Sequence, residues 1–383
     1  MSHTSSAVRF LEETREPSDG KAELLAIGAM TLWGLLTLGK GTAFVAWTAI
    51  YPQTTVKTPQ GAAEREYAFV LCCFKALPDV LSTPALLGPL LTRTRTFVLV
   101  QNGVGIHDDL QRVVPGATII TACAWIDATL VANGTKLHQT GPEKLSFGFH
   151  PPSTGIFTQR VAGIDLDHPN ASAANFSRAD AQGAVDLFAS LLRAGGADPD
   201  PTNDINFQRW RKVLWNACFS TLCTMSRGSM ADIMSSSVEA YRTTIPAVRE
   251  IMREVISVAY AYGGVRPGSL DAAPDAIIAD AIQQYADFDL LRPSAGKVRE
   301  APSSFRPSML VDLEAGRPIE VEVIVGNVLR AVARGSAGET NAELRPEAEL
   351  GNATAGVVST PRLELIYGTL KVIQSKLLQG RAL

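Results

Sequence analysis

The sequence predicts an α/β protein, with a parallel-sheet first half followed by an all-helical second half. Three observations carry this expectation. Strand-length apolar runs recur with crossover-length gaps before residue 130. Helix-period patterns dominate after residue 204. A Pro/Asp-rich stretch, "ADPDPTND" (Ala197–Asp204), separates the two regimes and reads as a domain linker.

The first strand is expected in "ELLAIGAM", at the head of an apolar, glycine-spotted stretch running from Glu23 to Trp47. "EYAFVLCCFK" (Glu66–Lys75) and "RTFVLVQNGVG" (Arg95–Gly105) are continuous β-branched and aromatic runs, the pattern of strands buried on both faces. "ATIITACAW", from Ala117, is a further strand, and residues 131–167 are polar enough for antiparallel strands and loops. "DAQGAVDLFASLLRAGG" is an amphipathic helix stopped by Gly195-Gly196. In the second half the sequence predicts a helix through "INFQRWRKVLWNACFSTLCTM" and a long one over Val238–Tyr262 ended by Gly263-Gly264. A short helix breaks at Gly316-Arg317-Pro318 before a new one near Glu320, and a last helix lies in "TPRLELIYGTLK".

Bulk properties narrow the function classes. The 383 residues suit two domains, and a net charge of −3 offers no basic field for nucleic acid or anionic lipid. Five cysteines, four inside apolar runs and none at zinc-like spacing with histidine, fit reduced core thiols and no structural metal. The N-terminal residues lack a basic segment running into an apolar core, so a cytoplasmic protein without a secretory signal is expected. The apolar run Leu24–Gly39 is about 16 residues long, short of the roughly 20 that span a bilayer, so no membrane partner is expected.

Polar side chains stand at telling places. Lys75 and Asn102 follow two of the strand runs directly, and the binding crevice of an open parallel sheet lies beyond the carboxyl ends of its strands. From position alone, a solvated lysine and an Asn-Gly turn explain them as well as a binding rim does. Lys212, Asn216 and Ser220 are four residues apart in turn, which stacks them on one face of an otherwise apolar helix. Such a stripe faces water or lines a cleft. Glu320, in a first helical turn, is explained equally by the helix dipole.

Taken together, "FKALPDV", "VLVQNGVG", "WRKVLWNACFSTL", "MREVISVAYAYG", "PSMLVDLEAGRPIEVEVIVG" and "TPRLELIYGTL" resemble, in order and over residues 66–372, the ketopantoate reductase (2-dehydropantoate 2-reductase) family in its fungal forms. The resemblance implies a Rossmann-like, here truncated, N-terminal domain over residues 23–200 after a polar tail (1–22). It also implies an all-helical C-terminal domain of the 6-phosphogluconate dehydrogenase type over 201–383. It implies NADPH-dependent reduction of a small 2-oxo acid or related ketone held between the domains, with Lys212 as the general acid and Glu320 as a second catalytic residue. Asn102, Asn216 and Ser308 match its substrate-binding residues; Gly28, Lys75, Asn102 and Gly103 match its cofactor-binding positions. A homodimer is compatible with it. Ser220 departs from the pattern, which has a second asparagine there, and the shorter side chain favours a different or larger substrate than ketopantoate.

The phosphate loop departs further. A dinucleotide loop G-x-G-x-x-G needs its second glycine for close approach to the pyrophosphate and its third for helix packing. Here the loop reads Gly28-Ala29-Met30-Thr31-Leu32-Trp33-Gly34, with Met30 and Trp33 in those places. Gly34–Lys40 fits a P-loop spacing, but Gly41 stands where Ser or Thr is required. The chain between Gly28 and Lys75 is also short for a full cofactor half, with Lys57 the one weak candidate to hold the adenosine ribose. Two readings follow: a reductase with a divergent cofactor site, or a redox-inactive relative, using no NADPH, turned to acid–base, cyclisation or pericyclic chemistry in specialised (secondary) metabolism.

Overall fold

A computed structural model describes residues 10–12, 24–27, 54–56, 58–131, 136–152, 168–195, 197–286, 305–336 and 358–380. The chain divides into two compact units, Met1–Ile205 and Asn206–Leu383.

The first unit is built on an eight-stranded sheet. Its strands are β1 (Phe10–Glu12), β2 (Leu24–Ile27), β3 (Thr54–Val56), β4 (Phe69–Cys72), β5 (Thr96–Leu99), β6 (Thr118–Val131), β7 (Lys136–His150) and β8 (Pro199–Pro201). The order across the sheet is β3-β1-β2-β4-β5-β6-β7-β8. β2, β4, β5 and β6 run parallel, as the spaced apolar runs predict. β4 and β5 are wholly buried, so both faces of the sheet are covered at its centre. On one face Phe69, Leu71, Val98, Ile120 and Phe147 pack with Val185, Phe188 and Leu192 of the amphipathic helix Arg178–Ala194. Phe188 meets Phe147 edge-on, with ring centroids 5.0 Å apart.

Three short strands lie where the sequence gives no strand signal. Phe10–Glu12, inside the stretch expected as a polar tail, pairs antiparallel with both β2 and β3. The expected linker carries β8, which pairs parallel with β7. Its Asp200 accepts a hydrogen bond from Ser146 Oγ at 2.7 Å and an ion pair from Lys144 at 2.9 Å. The chain comes so close there that a Cβ on Gly148 would stand 2.4 Å from the Thr202 carbonyl oxygen. Glycine is required at that position.

Numbering the helices of the second unit from its start, α1 is Ile205–Trp215, α2 Thr221–Ser226, α3 Met230–Ser235, α4 Val238–Tyr262, α5 Ala273–Tyr285, α6 Ser308–Glu314, α7 Asn327–Ser336 and α8 Pro361–Leu378. α4 ends as expected, with the Gly263 amide donating to the Ala259 and Val258 carbonyls. α1 and α2 are joined by a π-helical turn, Asn216–Ser220, and a second π turn, Glu322–Gly326, leads into α7. All five cysteines are buried thiols outside any disulfide. Burial pushes the Cys72, Cys73, Cys218 and Cys223 thiols up, Cys73 and Cys223 to about 12, which lowers their reactivity. Among the described residues no helix is long and apolar enough to cross a membrane.

The N-terminus of α8 is capped from a distance. Glu254 of α4 accepts hydrogen bonds from the Leu363 amide (3.0 Å), the Arg362 amide (3.2 Å) and the Arg362 guanidinium (3.0 Å). A carboxylate there satisfies amides that no helical carbonyl can reach and meets the positive end of the helix dipole. Glu254→Ala leaves those buried amides unmatched. It is expected to destabilise the second unit by about 2 kcal/mol, a fall of roughly 4–8 °C in its melting temperature, measured by calorimetry.

Candidate functional site

In the first unit the candidate positions sit on loops that leave two parallel neighbours in the same direction. After β4 the chain passes through Cys73 and Phe74 to Lys75; after β5 it passes through Val100 and Gln101 to Asn102. The two loops are tied together, because the Val100 amide donates to the Cys72 carbonyl at 3.0 Å and the Gln101 side-chain amide donates to the Phe74 carbonyl at 3.0 Å. Lys75 and Asn102 therefore share the carboxyl edge of the sheet, each half-buried. Gly103 follows with φ +100° and Gly105 with φ +64°. A Cβ at Gly103 would be strained, so glycine lets the backbone turn sharply there. Gly28 and the rest of its loop lie outside the described residues, as does Lys57.

In the second unit Lys212 lies on the last turn of α1, half-buried. Asn216 and Ser220 open and close the first π turn and are 8% and 5% exposed. This turn refines the expected stripe. A four-residue step overshoots one α-helical turn by about 40°, and a wider π turn corrects that drift, so Lys212, Asn216 and Ser220 stay on one side. Threonines stabilise the widening: Thr221 Oγ1 donates to the Ala217 carbonyl at 2.6 Å and Thr224 Oγ1 to the Ser220 carbonyl at 2.6 Å. Such back-bonding gives the backbone acceptors a partner where the regular ladder is interrupted. π turns occur often at functional sites.

The Asn216–Ser220 turn packs against α4, the Glu322–Gly326 turn and α6. Glu320 lies just before the Glu322–Gly326 turn and is 5% exposed. Ser308 is the first residue of α6, after Pro307, and is exposed. The structure thus gathers the elements that carry Lys212, Asn216, Ser220, Ser308 and Glu320 around one turn. Another groove of this unit, lined by Arg249, Arg253, Tyr260 and Asp275 among others, holds none of them. Among the described residues no group of three or more His, Cys, Asp or Glu could hold a metal ion.

Sequence reasoning passed over Glu322. It is a carboxylate in the middle of an apolar run, 8% exposed in its side chain. It accepts from Arg330 Nη1 at 2.6 Å, Lys371 Nζ at 2.6 Å and the Tyr367 hydroxyl at 3.1 Å. Burial pushes this carboxyl up, but the hydrogen bonds and charges of Lys371 and Arg330 outweigh that and hold it below its ordinary value. A glutamate two residues from another inside "IEVEVIVG", with basic residues in the neighbouring helices, was the available signal.

An open parallel sheet with glycine-turned loops at its carboxyl edge, followed by a helical unit with a lysine–asparagine stripe, defines a two-unit fold of the Rossmann dehydrogenase type. The chain belongs to the ketopantoate reductase family: residues 36–152 match the model "Ketopantoate reductase PanE/ApbA" and residues 204–374 match "Ketopantoate reductase PanE/ApbA C terminal". A 2-dehydropantoate 2-reductase of Nostoc is 25% identical over 64% of this chain and 62% of its own length. The chain spans under two thirds of the length of the curated relatives it matches. The crystal structure of 2-dehydropantoate 2-reductase from Methylococcus capsulatus is 25% identical, covers 84% of this chain and 79% of its own, and superposes with a TM-score of 0.54. A D-mandelate dehydrogenase, solved with NADH and anilino(oxo)acetate, shares the fold at 18% identity, with a TM-score of 0.55 over 85% of this chain and 84% of its own.

The lowered Glu322 carboxyl gives a signed pH dependence. A group depressed in the folded state contributes stability that is present above the unfolded glutamate value of about 4.3 and is lost as pH falls through the folded value. Between about pH 5 and pH 3 the wild type is expected to lose more stability than Glu322→Gln. Chemical denaturation at each pH measures the difference.

Proposed function

We propose that this chain is a nicotinamide-dependent reductase of a 2-oxo acid or related ketone, with NADPH as the hydride source. The observation that carries the reading is the Lys212–Asn216–Ser220 stripe on a helix whose π turn packs against the Glu322–Gly326 turn, two residues after Glu320, in a member of a family named for this reaction. The carboxyl edge of the sheet fits a nicotinamide dinucleotide: Gly103 and Gly105 turn the backbone there, with Lys75 and Asn102 beside it. Gly28 would belong to the same site. Bound there, the cofactor would supply a hydride to the carbonyl carbon.

The remaining chemistry belongs to the chain. The oxygen of a ketone under reduction gathers negative charge, and the Lys212 ammonium both stabilises that charge and gives up a proton to it, leaving a hydroxy acid and a neutral lysine that solvent reprotonates. Asn216 and Ser220 hold the substrate's polar groups along the same face, and Ser308 takes its carboxylate. Glu320 orients the lysine or a substrate hydroxyl. Ser220 is shorter than the carboxamide usual there, which supports a substrate other than ketopantoate, with more bulk on that side.

A second reading has its own observation. In dinucleotide-binding sheets two further parallel strands flank the first one; here β1, antiparallel to β2, occupies the adjacent place on that flank, with the three-residue β3 beyond it. Together with Met30 and Trp33 in the glycine code, this favours a relative that has given up NADPH and kept the acid–base residues.

Titration of the purified protein with NADPH, followed by cofactor fluorescence, separates the two. Saturable binding below millimolar cofactor is expected, and its absence would overturn the reductase reading. With turnover established, Lys212→Ala is expected to lower kcat by about 10²–10⁴-fold with little change in cofactor affinity.

A further inference from the structure

We infer that Gln374, a residue of the last helix remote in sequence from every candidate above, is the positioning residue for Glu320. The inference rests on the proposed catalytic role of Glu320. Gln374 is fully buried. Its side-chain oxygen accepts from the Ile319 amide at 2.9 Å and its side-chain nitrogen donates to the Ile319 carbonyl at 3.2 Å. One carboxamide thus closes on both polar groups of the residue that precedes Glu320, as a neighbouring strand would.

Ile319 belongs to no helix or strand of its own. It follows the left-handed Gly316, at φ +66°, and precedes the π turn. The following helix reaches back only to carbonyls here, the Val321 amide donating to Ile319 at 2.9 Å and the Ile324 amide to Glu320 at 3.3 Å, and Gln374 adds the bond to the Ile319 amide. On the upstream side the Arg317 amide donates to the Asp312 carbonyl at 2.8 Å, and the Arg317 side chain pairs with the Asp312 carboxylate. On the downstream side Glu322 is held by Lys371 and Tyr367, one helical turn and two turns before Gln374 on the same helix. α8 therefore grips the chain at 319 and at 322, and Glu320 lies between the grips. The lower grip is an ion-pair cluster on a side chain. The Gln374 grip acts on the peptide itself, which sets the direction in which the next side chain leaves the backbone.

A loosely held catalytic group loses rate steeply, since a displacement of about 1 Å can cost about 10²-fold. Gln374→Met keeps the length of the side chain and removes both hydrogen bonds; Gln374→Asn keeps the carboxamide but is one methylene too short to close on both groups. Each is to be made alone and together with Glu320→Gln. Reduction of 2-oxo acids by NADPH is followed with 2-dehydropantoate and phenylglyoxylate as probes, and amide hydrogen exchange is read over residues 317–323. Faster exchange at Ile319 in both single variants, kcat lowered about tenfold or more in Gln374→Met with KM nearly unchanged, and no further loss when Gln374→Met is added to Glu320→Gln are the expected results. If the losses multiply, or if exchange rises while kcat holds, Gln374 is structural only and the inference is overturned with the reductase reading intact. Should Gln374→Met fail to fold, the same cycle with Gln374→Asn decides. No turnover by the wild type across a panel of 2-oxo acids that includes both probes would overturn the reductase reading and this inference with it.

Discussion

The second unit depends on buried polar bonds made to its last helix across long stretches of chain. Three side chains carry them: Glu254 caps the first turn of α8, Glu322 collects Lys371 and Tyr367 from its middle, and Gln374 closes on the Ile319 peptide near its end. Each would be a liability if left half-made, because a buried carboxylate or amide without partners costs far more than the same group in water. Complete, they fix α8 in one register against α4 and the 319–326 segment, which apolar contact alone would leave free to slide. The rest of the unit's geometry follows from that fixed register, including the packing of the two π turns on which the candidate residues lie.

The first unit obeys a different constraint. Its central strands are short and buried on both faces, so backbone pairing and alternate-face packing determine where each strand ends. Because β4 and β5 are parallel neighbours in a set register, the loops that follow must leave at one edge, and the Gln101–Phe74 bond joins them there. The shared edge of Lys75 and Asn102 is thus a consequence of strand register. The glycines at 103 and 105 belong to the same constraint, since the chain must turn steeply away from the sheet to reach the following helix.

Much of this was legible in the sequence, for reasons that can be named. The runs around Phe69–Cys72 and Thr96–Leu99 are β-branched and apolar because both their faces are covered. The Val238–Tyr262 helix has a clear period and a glycine stop, and the Lys212-Asn216-Ser220 spacing survives a change of helix type. What was not legible is tertiary in origin. Phe10–Glu12, Thr54–Val56 and Pro199–Pro201 are three residues each, too short for a pattern and one of them with prolines at both ends, and they are strands only because an edge was there to pair with. At the first π turn, threonine hydroxyls reach back to the main chain. Glu322 and Gln374 take their meaning from partners 49 and 55 residues away, a separation no local pattern records. The family resemblance supplied the candidate residues of the second unit, and the structure adds what holds them.

The central claim is that the Lys212 face protonates a carbonyl oxygen while hydride arrives from a nicotinamide. Its most direct test is isotope transfer. Incubation with NADPH carrying deuterium at the transferable C4 position and a panel of 2-oxo acids, followed by mass spectrometry of the hydroxy acids formed, reports the bond that the reaction makes. The account requires a hydroxy acid one mass unit heavier, formed by the wild type and lost in Lys212→Ala. Deuterium in no product across the panel would contradict it.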